Sequence, residues 1–306
     1  MNIAKTHAFQ SRYYTASDGL RLHLRDFGPR DSRATPVVCL PGLARTAADF
    51  DLLATAIAGG RAGAPRRVVS IDYRGRGLSD RDPNWKNYDI FVESADILTM
   101  LAATGIESAI FVGTSRGGLH TMVLGATRPA LLRGVVMNDI GPIIEQQGIA
   151  RIRGYVGKLP TPNSWRDAID LFKKIAGAQF TGLQDSDWEA YARLTFEEKD
   201  GKFATRYDPM LMKSLDAYDP ETPLPKLWPQ FDGLAHVPLM IIRGENSDLL
   251  SQSTLEEMVA RHPGAESLIV PGQGHAPLLL DDMSITRICA FIAGIAGTHP
   301  KSPKSI

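Results

Sequence analysis

The residues of this chain best suited to chemistry lie in the stretch 110–118, which reads Ile-Phe-Val-Gly-Thr-Ser-Arg-Gly-Gly. A short apolar run ends in the pattern Gly-x-Ser-x-Gly, centred on Ser115, and a helix-compatible segment follows. This order predicts a strand, a sharp turn and a helix, with the serine at a strained backbone position. Gly113 and Gly117 would let the strand and the helix approach closely. Because five residues can match by chance, the pattern needs partners elsewhere in the chain.

A serine is a poor nucleophile until a base accepts its proton, and the base needs an acid that holds its tautomer. We predict His275 as the base, because it follows the last apolar strand-like run on a glycine-rich loop, 272–277. That position lies at the carboxyl edge of a parallel sheet, where open α/β sheets bind ligands. The other histidines lack such a position and are predicted to be structural or solvent-exposed.

Two aspartates lie between Ser115 and His275 at the ends of strand-like runs, and either fits the order serine, acid, histidine. We favour Asp248, because its loop is expected one strand away from the loop of the histidine. Asp139 is the alternative, although an aspartate at that position could also serve only to form a turn. Glu245 is a more distant third candidate.

Acyl transfer also needs two backbone N–H groups about 3 Å from the developing negative charge. We expect one from Arg116, because the first N–H groups of a helix have no intrahelical acceptor. The second is expected from Leu43, just after a Pro-Gly pair ends a buried run. A cation at a helix N-terminus is unfavourable. The Arg116 side chain should therefore have a carboxylate partner, for which Asp72 is one candidate, or should bind a substrate carboxylate.

The elements that must position these residues alternate between buried apolar runs and amphipathic helices. A predicted hairpin over 13–27 comes first, with its turn at 17–19. Alternating strands and helices imply right-handed crossovers, so we predict an α/β fold: a mostly parallel central sheet with helices on both faces. The buried runs that predict this sheet lie at 36–40, 68–72, 108–112, 132–137, 238–242 and 267–270.

The pattern changes between about 143 and 237, where no buried strand is predicted and tryptophans, tyrosines and prolines occur among helix-like pieces. We therefore predict a core formed by 1–142 and 236–297, an inserted helical cap over 143–235, and a flexible tail over 298–306. A second independent domain is the alternative for the middle segment.

The predicted cap supplies candidates for the substrate pocket. Trp165, Trp188 and Tyr191 could line it, and so could Arg45 from the core. Aromatic residues in a small helical insertion also commonly form that insertion's own core, and this alternative applies to each of the three.

Composition narrows the function classes. The 306 residues carry 34 basic and 34 acidic side chains, which gives no electrostatic reason to expect a nucleic acid or an anionic membrane as partner. Residues 1–14 contain no apolar signal-like run, and Cys39 and Cys289 are too few for a disulfide framework, so we expect a cytoplasmic protein. Scattered histidines and an incomplete glycine fingerprint predict neither a metal site nor a cofactor site.

Together these pieces resemble the α/β-hydrolase fold family, and in particular its cap-bearing serine hydrolases, over essentially the whole folded length. Two positions depart from the family pattern: Pro41, where many relatives have histidine, and Arg116, where relatives often have an uncharged residue. The proline does not remove the backbone donor at Leu43. The matching stretches are Leu-Pro-Gly-Leu at 40–43, Asp-Tyr-Arg-Gly-Arg-Gly-Leu-Ser at 72–79, Gly-Thr-Ser-Arg-Gly-Gly at 113–118, Gly-Glu-Asn-Ser-Asp at 244–248 and Gly-His at 274–275.

The resemblance implies acyl transfer to water through an acyl-serine. Ser115 would attack, His275 would carry the proton, and Asp248 would orient His275. The N–H groups of Leu43 and Arg116 would hold the oxyanion. We expect hydrolysis of a carboxylic ester of small or medium size, without a cofactor, and a homodimer is compatible with the sequence.

Three alternatives stay open. The first is hydrolysis of a carbon–carbon bond in ring-cleavage products, which would require cations such as Arg45 or Arg116 around the substrate carboxylate. The second is hydrolysis of a lactone, and the third is ligand binding without catalysis on the same fold.

Overall fold

A computed structural model of the chain describes residues 9–216 and 224–295. The predicted tail over 298–306 lies outside the described residues. Within them, the strands are β1 (Phe9–Thr15), β2 (Arg21–Phe27), β3 (Val37–Leu40), β4 (Val68–Ile71), β5 (Ala109–Thr114), β6 (Leu132–Asn138), β7 (Phe196–Lys199), β8 (Lys202–Thr205), β9 (Leu239–Gly244) and β10 (Glu266–Val270).

In the described ranges, eight of these strands form one sheet in the order β1-β2-β4-β3-β5-β6-β9-β10. The β1–β2 and β2–β4 pairs are antiparallel, and every other pair is parallel, which confirms the predicted mostly parallel sheet. The hairpin predicted over 13–27 is present as β1 and β2. The parallel strands end at one edge of the sheet, and the loops that carry Ser115 and His275 follow β5 and β10 there.

Helices cover both faces of this sheet. Strand β3 has alternate side chains in two buried clusters. Val37 and Cys39 pack with the helices at 51–58 and 282–294, whereas Val38 and Leu40 pack with those at 90–104, 116–127 and 252–261. A strand buried on both faces reads as a continuous apolar run, which is why the sequence revealed it. The helices are α1 (Asp51–Ala58), α2 (Ile90–Thr104), α3 (Arg116–Thr127), α4 (Gln146–Tyr155), α5 (Trp165–Ala176), α6 (Asp185–Thr195), α7 (Leu211–Asp216), α8 (Trp228–Asp232), α9 (Gln252–Arg261) and α10 (Asp282–Gly294).

Residues 143–235, called the insertion here, lie between β6 and β9. The insertion contains α4 to α8 and a two-stranded hairpin of β7 and β8, so the expectation of an insertion built only of helices is corrected. The hairpin turns at Asp200 and Gly201, whose φ angles are +53° and +72°. Positive φ at both positions is the geometry of a type I′ turn, for which Asp-Gly is a preferred pair.

Further features bear on the sequence-based expectations. Cys39 and Cys289 are both buried, free thiols. Across 9–216 and 224–295, no group of His, Cys, Asp or Glu side chains has an arrangement that could hold a metal ion. No helix in those ranges combines the length and the apolar character that a bilayer crossing requires.

Close packing fixes the turn between β5 and α3. Ser115 has φ +51° and ψ −112°, the strained conformation predicted for it. A Cβ on Gly117 would lie 2.0 Å from the carbonyl oxygen of Leu40, and one on Gly113 would lie 2.5 Å from the carbonyl carbon of Gly117. The two glycines therefore allow α3 to start directly against the ends of β3 and β5.

A buried charge cluster joins α2, α3 and the loop after β4. The Glu93 carboxylate accepts hydrogen bonds from Arg76 (2.7 Å) and Arg116 (2.6 Å). Burial alone would raise the pKa of Glu93, but the guanidinium groups of Arg116 and Arg76 outweigh it and hold that pKa below its ordinary range. His120 Nε2 lies 3.3 Å from the same carboxylate without forming a hydrogen bond to it. We call Glu93, Arg76, Arg116 and His120 the Glu93 cluster.

Gly117→Ala should destabilise the protein by at least about 2 kcal/mol, because the added methyl group would overlap the Leu40 carbonyl. Urea unfolding measures the difference. The matched control is Gly154→Ala in α4, where an added Cβ meets nothing within 4 Å and helix propensity should add up to about 1 kcal/mol. Equal unfolding free energies for the two variants would contradict the packing argument.

His120 makes stability depend on pH. Burial lowers the pKa of its imidazole from 6.5 to about 4, so the unfolded chain binds a proton near pH 6 and the folded chain does not. Stability should therefore fall as the pH drops below 6.5, by on the order of 2 kcal/mol between pH 7 and pH 5. The test is urea unfolding of the wild type and His120→Gln over this range. The variant should show the smaller loss, and parallel curves would contradict the expectation.

Candidate active site

The structure brings Ser115 and His275 together. Ser115 Oγ and His275 Nε2 are 2.9 Å apart. The histidine lies on the loop after β10, and only 7% of its surface is exposed. The Ser115 N–H donates to the Asn138 carbonyl at 2.9 Å, which ties the turn to the end of β6. A hydroxyl hydrogen-bonded to a buried imidazole is the arrangement in which a serine loses its proton during attack.

Asp139 is the carboxylate on the other side of the histidine. Its Oδ2 lies 2.8 Å from His275 Nδ1 and also accepts a hydrogen bond from Ser247 Oγ at 2.6 Å. Its Oδ1 accepts the Gly244 N–H at 2.7 Å. Asp139 is fully buried and has φ +57°, a conformation that few residues other than glycine adopt. This carboxylate is therefore held in one orientation by three donors.

The expectation that Asp248 orients His275 is wrong. Asp248 instead forms two hydrogen bonds, of 2.7 and 2.9 Å, with Arg151 of α4. Burial alone would raise the pKa of Asp248, but the hydrogen bonds from Arg151 lower it. The loop after β9 presents Ser247, one residue earlier, to the Asp139 carboxylate. Asp139, the alternative that the sequence left open, occupies the position beside the imidazole.

The two expected oxyanion donors lie beside Ser115. A Cβ built on Gly42 would be 3.8 Å from Ser115 Cβ, so the start of the loop that carries Leu43 passes next to the nucleophile. Arg116 is the first residue of α3. Among the described residues, neither the Leu43 N–H nor the Arg116 N–H has a hydrogen-bond acceptor in the protein. Two unpaired donors next to a serine hydroxyl are what a developing oxyanion requires.

The side chain of Arg116 points away from Ser115. Its Nε donates to Glu93 at 2.6 Å and its Nη2 donates to the Tyr88 carbonyl at 3.3 Å. The suggested partner Asp72 is engaged elsewhere, with His23 Nδ1 at 2.7 Å and the Ala47 N–H at 2.6 Å. Glu93 is thus the carboxylate that the cation at this helix start needed.

A cavity of about 90 Å³ opens beside Ser115 and His275. Of the predicted substrate-binding residues, Arg45 and Tyr191 line it. Trp165 and Trp188 do not, and both pack in the insertion's apolar cluster. The wall combines the loop after β3, three helices of the insertion and the loop after β10. Its apolar members are Leu43, Ala44, Phe50, Ile152, Tyr155, Val156, Leu159, Phe172, Tyr191, Tyr207, Ala276, Pro277, Leu278 and Leu279.

Arg45 forms an ion pair with Asp49, and both residues line the cavity. Its Nε donates to Asp49 at 2.6 Å and its Nη1 donates to Thr195 Oγ1 at 2.7 Å, while its guanidinium lies 4.9 Å from the ring centre of Tyr191. Burial raises the pKa of Asp49, and the ion pair with Arg45 opposes that shift. Sequence reasoning missed Asp49, although its spacing of four residues from Arg45 was a usable signal.

A second serine, histidine and aspartate chain occurs at the far edge of the sheet. Ser11 Oγ lies 2.7 Å from His23 Nε2, and His23 Nδ1 lies 2.7 Å from Asp72. Ser11 belongs to the regular strand β1 and is not part of the cavity wall. Hydrogen-bond geometry alone therefore does not single out Ser115; its strained turn, the cavity and the adjacent N–H groups do.

Comparisons with known proteins agree with this architecture. The model of the alpha/beta hydrolase family matches residues 37–284. The chain is 31% identical over 264 residues to a 3-hydroxybutyrate-oligomer hydrolase of Cupriavidus necator, covering 84% of this chain and 88% of that protein. It is 25% identical over 254 residues to an sn-1-specific diacylglycerol lipase of Mus musculus, with 80% and 76% covered.

A solved structure extends the similarity to three dimensions. An alpha/beta hydrolase from Novosphingobium aromaticivorans superimposes with a TM-score of 0.85 at 38% sequence identity, covering 93% of this chain and 98% of that one. The family model, the identity over most of both chains and the shared sheet lead to one conclusion. This chain is a hydrolase that belongs to the alpha/beta hydrolase family.

Proposed function

We propose that this protein is a serine hydrolase of the carboxylesterase type, which cleaves an ester of small or medium size through an acyl-serine. The observation that carries the proposal is the chain of hydrogen bonds from Ser115 through His275 to Asp139, with its serine end in the cavity wall. Three groups in these roles define the serine triad, whatever their order in the chain.

Acylation begins when Ser115 Oγ attacks the ester carbonyl carbon. The new bond forms as the Oγ proton passes to His275 Nε2 and the carbonyl electron pair moves to oxygen. The N–H groups of Leu43 and Arg116 hold that oxyanion. Asp139 stabilises the imidazolium through Nδ1. The oxyanion then collapses, the bond to the alcohol oxygen breaks, and Nε2 returns its proton to the leaving alkoxide.

Deacylation repeats these steps with water. His275 Nε2 takes a proton from the water as its oxygen bonds to the acyl carbon. Collapse of the second oxyanion breaks the bond to Ser115 Oγ, which regains its proton from the imidazolium. One ester and one water therefore give one carboxylic acid and one alcohol.

The wall of the cavity supports a small or medium acyl group. It is mainly apolar, and Ile152 and Tyr155 of α4 and Tyr191 of α6 bring the insertion over the nucleophile. We infer that the insertion serves as a cap that sets the substrate range. An oligomer of a hydroxy acid is joined by ester bonds, so the similarity to a 3-hydroxybutyrate-oligomer hydrolase makes short hydroxyacid esters the first substrates to test.

The charges around the cavity favour an ester over a carbon–carbon substrate. A dienolate carboxylate would need a cation free to bind it. Arg116 is directed to Glu93, and Arg45 is neutralised by Asp49 at 2.6 Å. A neutral ester has no carboxylate, so its binding does not require such a cation. Carbon–carbon and lactone hydrolysis are therefore secondary candidates.

Ser115→Ala should abolish ester hydrolysis, with a loss in kcat of more than about 10⁴-fold, because Ser115 supplies the hydroxyl of the cavity wall that is hydrogen-bonded to His275. The measurement is turnover of p-nitrophenyl esters from acetate to laurate, together with release of 3-hydroxybutyrate from its linear dimer.

Ser11→Ala is the matched control for this loss, because Ser11 also contacts a buried histidine but lies in β1. It should keep most of the activity. A wild type that turns over none of these esters would refute the proposal, and dienolate substrates and lactones would be assayed next.

Asp139→Asn should lower kcat by about 10³- to 10⁴-fold, because an amide cannot stabilise the imidazolium and favours the wrong tautomer. Asp248→Asn should lower kcat far less, although it leaves Arg151 without its carboxylate and should reduce stability. Steady-state kinetics and urea unfolding on both variants separate the two effects. A larger loss of kcat in Asp248→Asn than in Asp139→Asn would return the acid role to Asp248.

A further inference from the structure

We propose that Glu93 is a positioning residue that holds both oxyanion donors in place through two arginines. The inference rests on the proposed ester hydrolysis and adds a residue that does not itself touch the substrate. Glu93 lies in α2 and its side chain is fully buried. Each of its carboxylate oxygens binds a different guanidinium group, and each of those arginines is tied to one side of the oxyanion site.

The first connection runs through Arg116. Glu93 Oε2 accepts the Arg116 Nε–H at 2.6 Å, and the Arg116 backbone N–H is one of the two expected oxyanion donors. Only 14% of the Arg116 side chain is exposed. The ion pair therefore holds the side chain of Arg116, while the strained turn at Ser115 holds its backbone.

The second connection runs through Arg76. Glu93 Oε1 accepts the Arg76 Nη1–H at 2.7 Å, and Arg76 Nε donates to the Leu43 carbonyl at 2.8 Å. That carbonyl belongs to the residue whose N–H is the other expected donor. A hydrogen bond to it restrains the ψ angle of Leu43 and hence the orientation of the loop that follows β3.

Charge explains why a carboxylate is required between them. Arg76 is fully buried and Arg116 is largely buried, and both approach the same point. Without Glu93, two guanidinium groups would repel each other in a region of reduced dielectric constant. His120 cannot replace the negative charge, and burial keeps it uncharged at neutral pH by lowering its pKa to about 4. Loss of the carboxylate would therefore displace both arginines at once.

The kinetic consequence is specific. Oxyanion donors act on the charge that develops in the transition state, so a displacement of a fraction of an ångström lowers kcat and leaves ground-state binding nearly unchanged. If Glu93 acted on stability alone, its substitution would lower the unfolding free energy and would not lower kcat selectively over KM.

The experiment compares three variants of the full chain on the best p-nitrophenyl ester. Glu93→Gln removes the negative charge. Arg116→Met cuts one connection but leaves a neutral Arg76–Glu93 pair, which keeps the inference testable if Glu93→Gln does not fold. Both should lower kcat about 10- to 100-fold with KM changed far less.

Asp26→Asn is the matched control. Asp26 is also a buried carboxylate paired with guanidinium groups, in this case those of Arg67 (2.9 Å), Arg12 (3.1 Å) and Arg30 (3.2 Å), and none of these four residues lines the cavity. Its loss should reduce stability and leave kcat close to that of the wild type.

A trifluoromethyl ketone supplies a second readout. Ser115 Oγ adds to its carbonyl carbon, the Oγ proton passes to His275, and the carbonyl oxygen becomes an oxyanion at the two N–H groups. Its inhibition constant should rise by about the factor that kcat falls in Glu93→Gln and Arg116→Met. The inhibition constant of butyrate, a product-like ligand, should stay nearly constant.

The outcomes separate this inference from the function on which it rests. Absence of Ser115-dependent turnover in the wild type overturns both. Ser115-dependent turnover with kcat retained in a folded Arg116→Met or Glu93→Gln overturns the role of Glu93 alone. Equal losses of kcat in Asp26→Asn also overturn it, because they would trace the effect to stability.

Discussion

The packing of α3 against the ends of β3 and β5 is the constraint on which the rest of this site depends. It holds Ser115 at φ +51°, a conformation that costs on the order of 1–3 kcal/mol unless the surroundings impose it. Two glycines permit the contact, since a Cβ at Gly117 would come within 2.0 Å of the Leu40 carbonyl. The same contact sets the positions of the Ser115 hydroxyl and the Arg116 N–H, and it brings the loop after β3 alongside. The proposed nucleophile and the proposed oxyanion site therefore depend on a single steric arrangement.

Buried and partly buried charges are organised around this arrangement in compensated groups. Glu93 lies between Arg76 and Arg116, Arg45 pairs with Asp49, and Asp248 pairs with Arg151. A buried ion pair contributes little net stability, but removing one partner is costly because the other charge is left without compensation. Glu93 joins α2 to α3, and Asp248 joins the core to the insertion through Arg151. Arg45 reaches the insertion through its hydrogen bond to Thr195. These ion pairs therefore hold separate segments in fixed positions around a mainly apolar cavity.

The sequence was most informative where burial is two-sided. Runs such as Val37–Leu40 and 239–242 are apolar at every position, since both faces of the strand are covered. The hairpin of β7 and β8 escaped prediction because its strands are short and largely polar, with Phe196 and Phe203 as their only fully apolar large side chains. Its signal was the Asp200–Gly201 turn. The aromatic residues of the insertion also differ in position. Trp165 and Trp188 pack in the insertion's apolar cluster, whereas Tyr191 also lines the cavity, and amino-acid composition does not predict this difference.

The sequence by itself determined the fold class and the pairing of Ser115 with His275, because a strained glycine-flanked turn and a glycine-rich loop after the last strand each leave a local pattern. Only the tertiary structure decided which carboxylate meets the histidine. Asp139 and Asp248 follow neighbouring strands at the same edge of the sheet, so local pattern treats them alike. The choice depends on the φ of +57° at Asp139 and on Arg151, which lies 97 residues before Asp248 and engages it. A contact between residues so far apart is created by folding, and no local stretch of sequence records it.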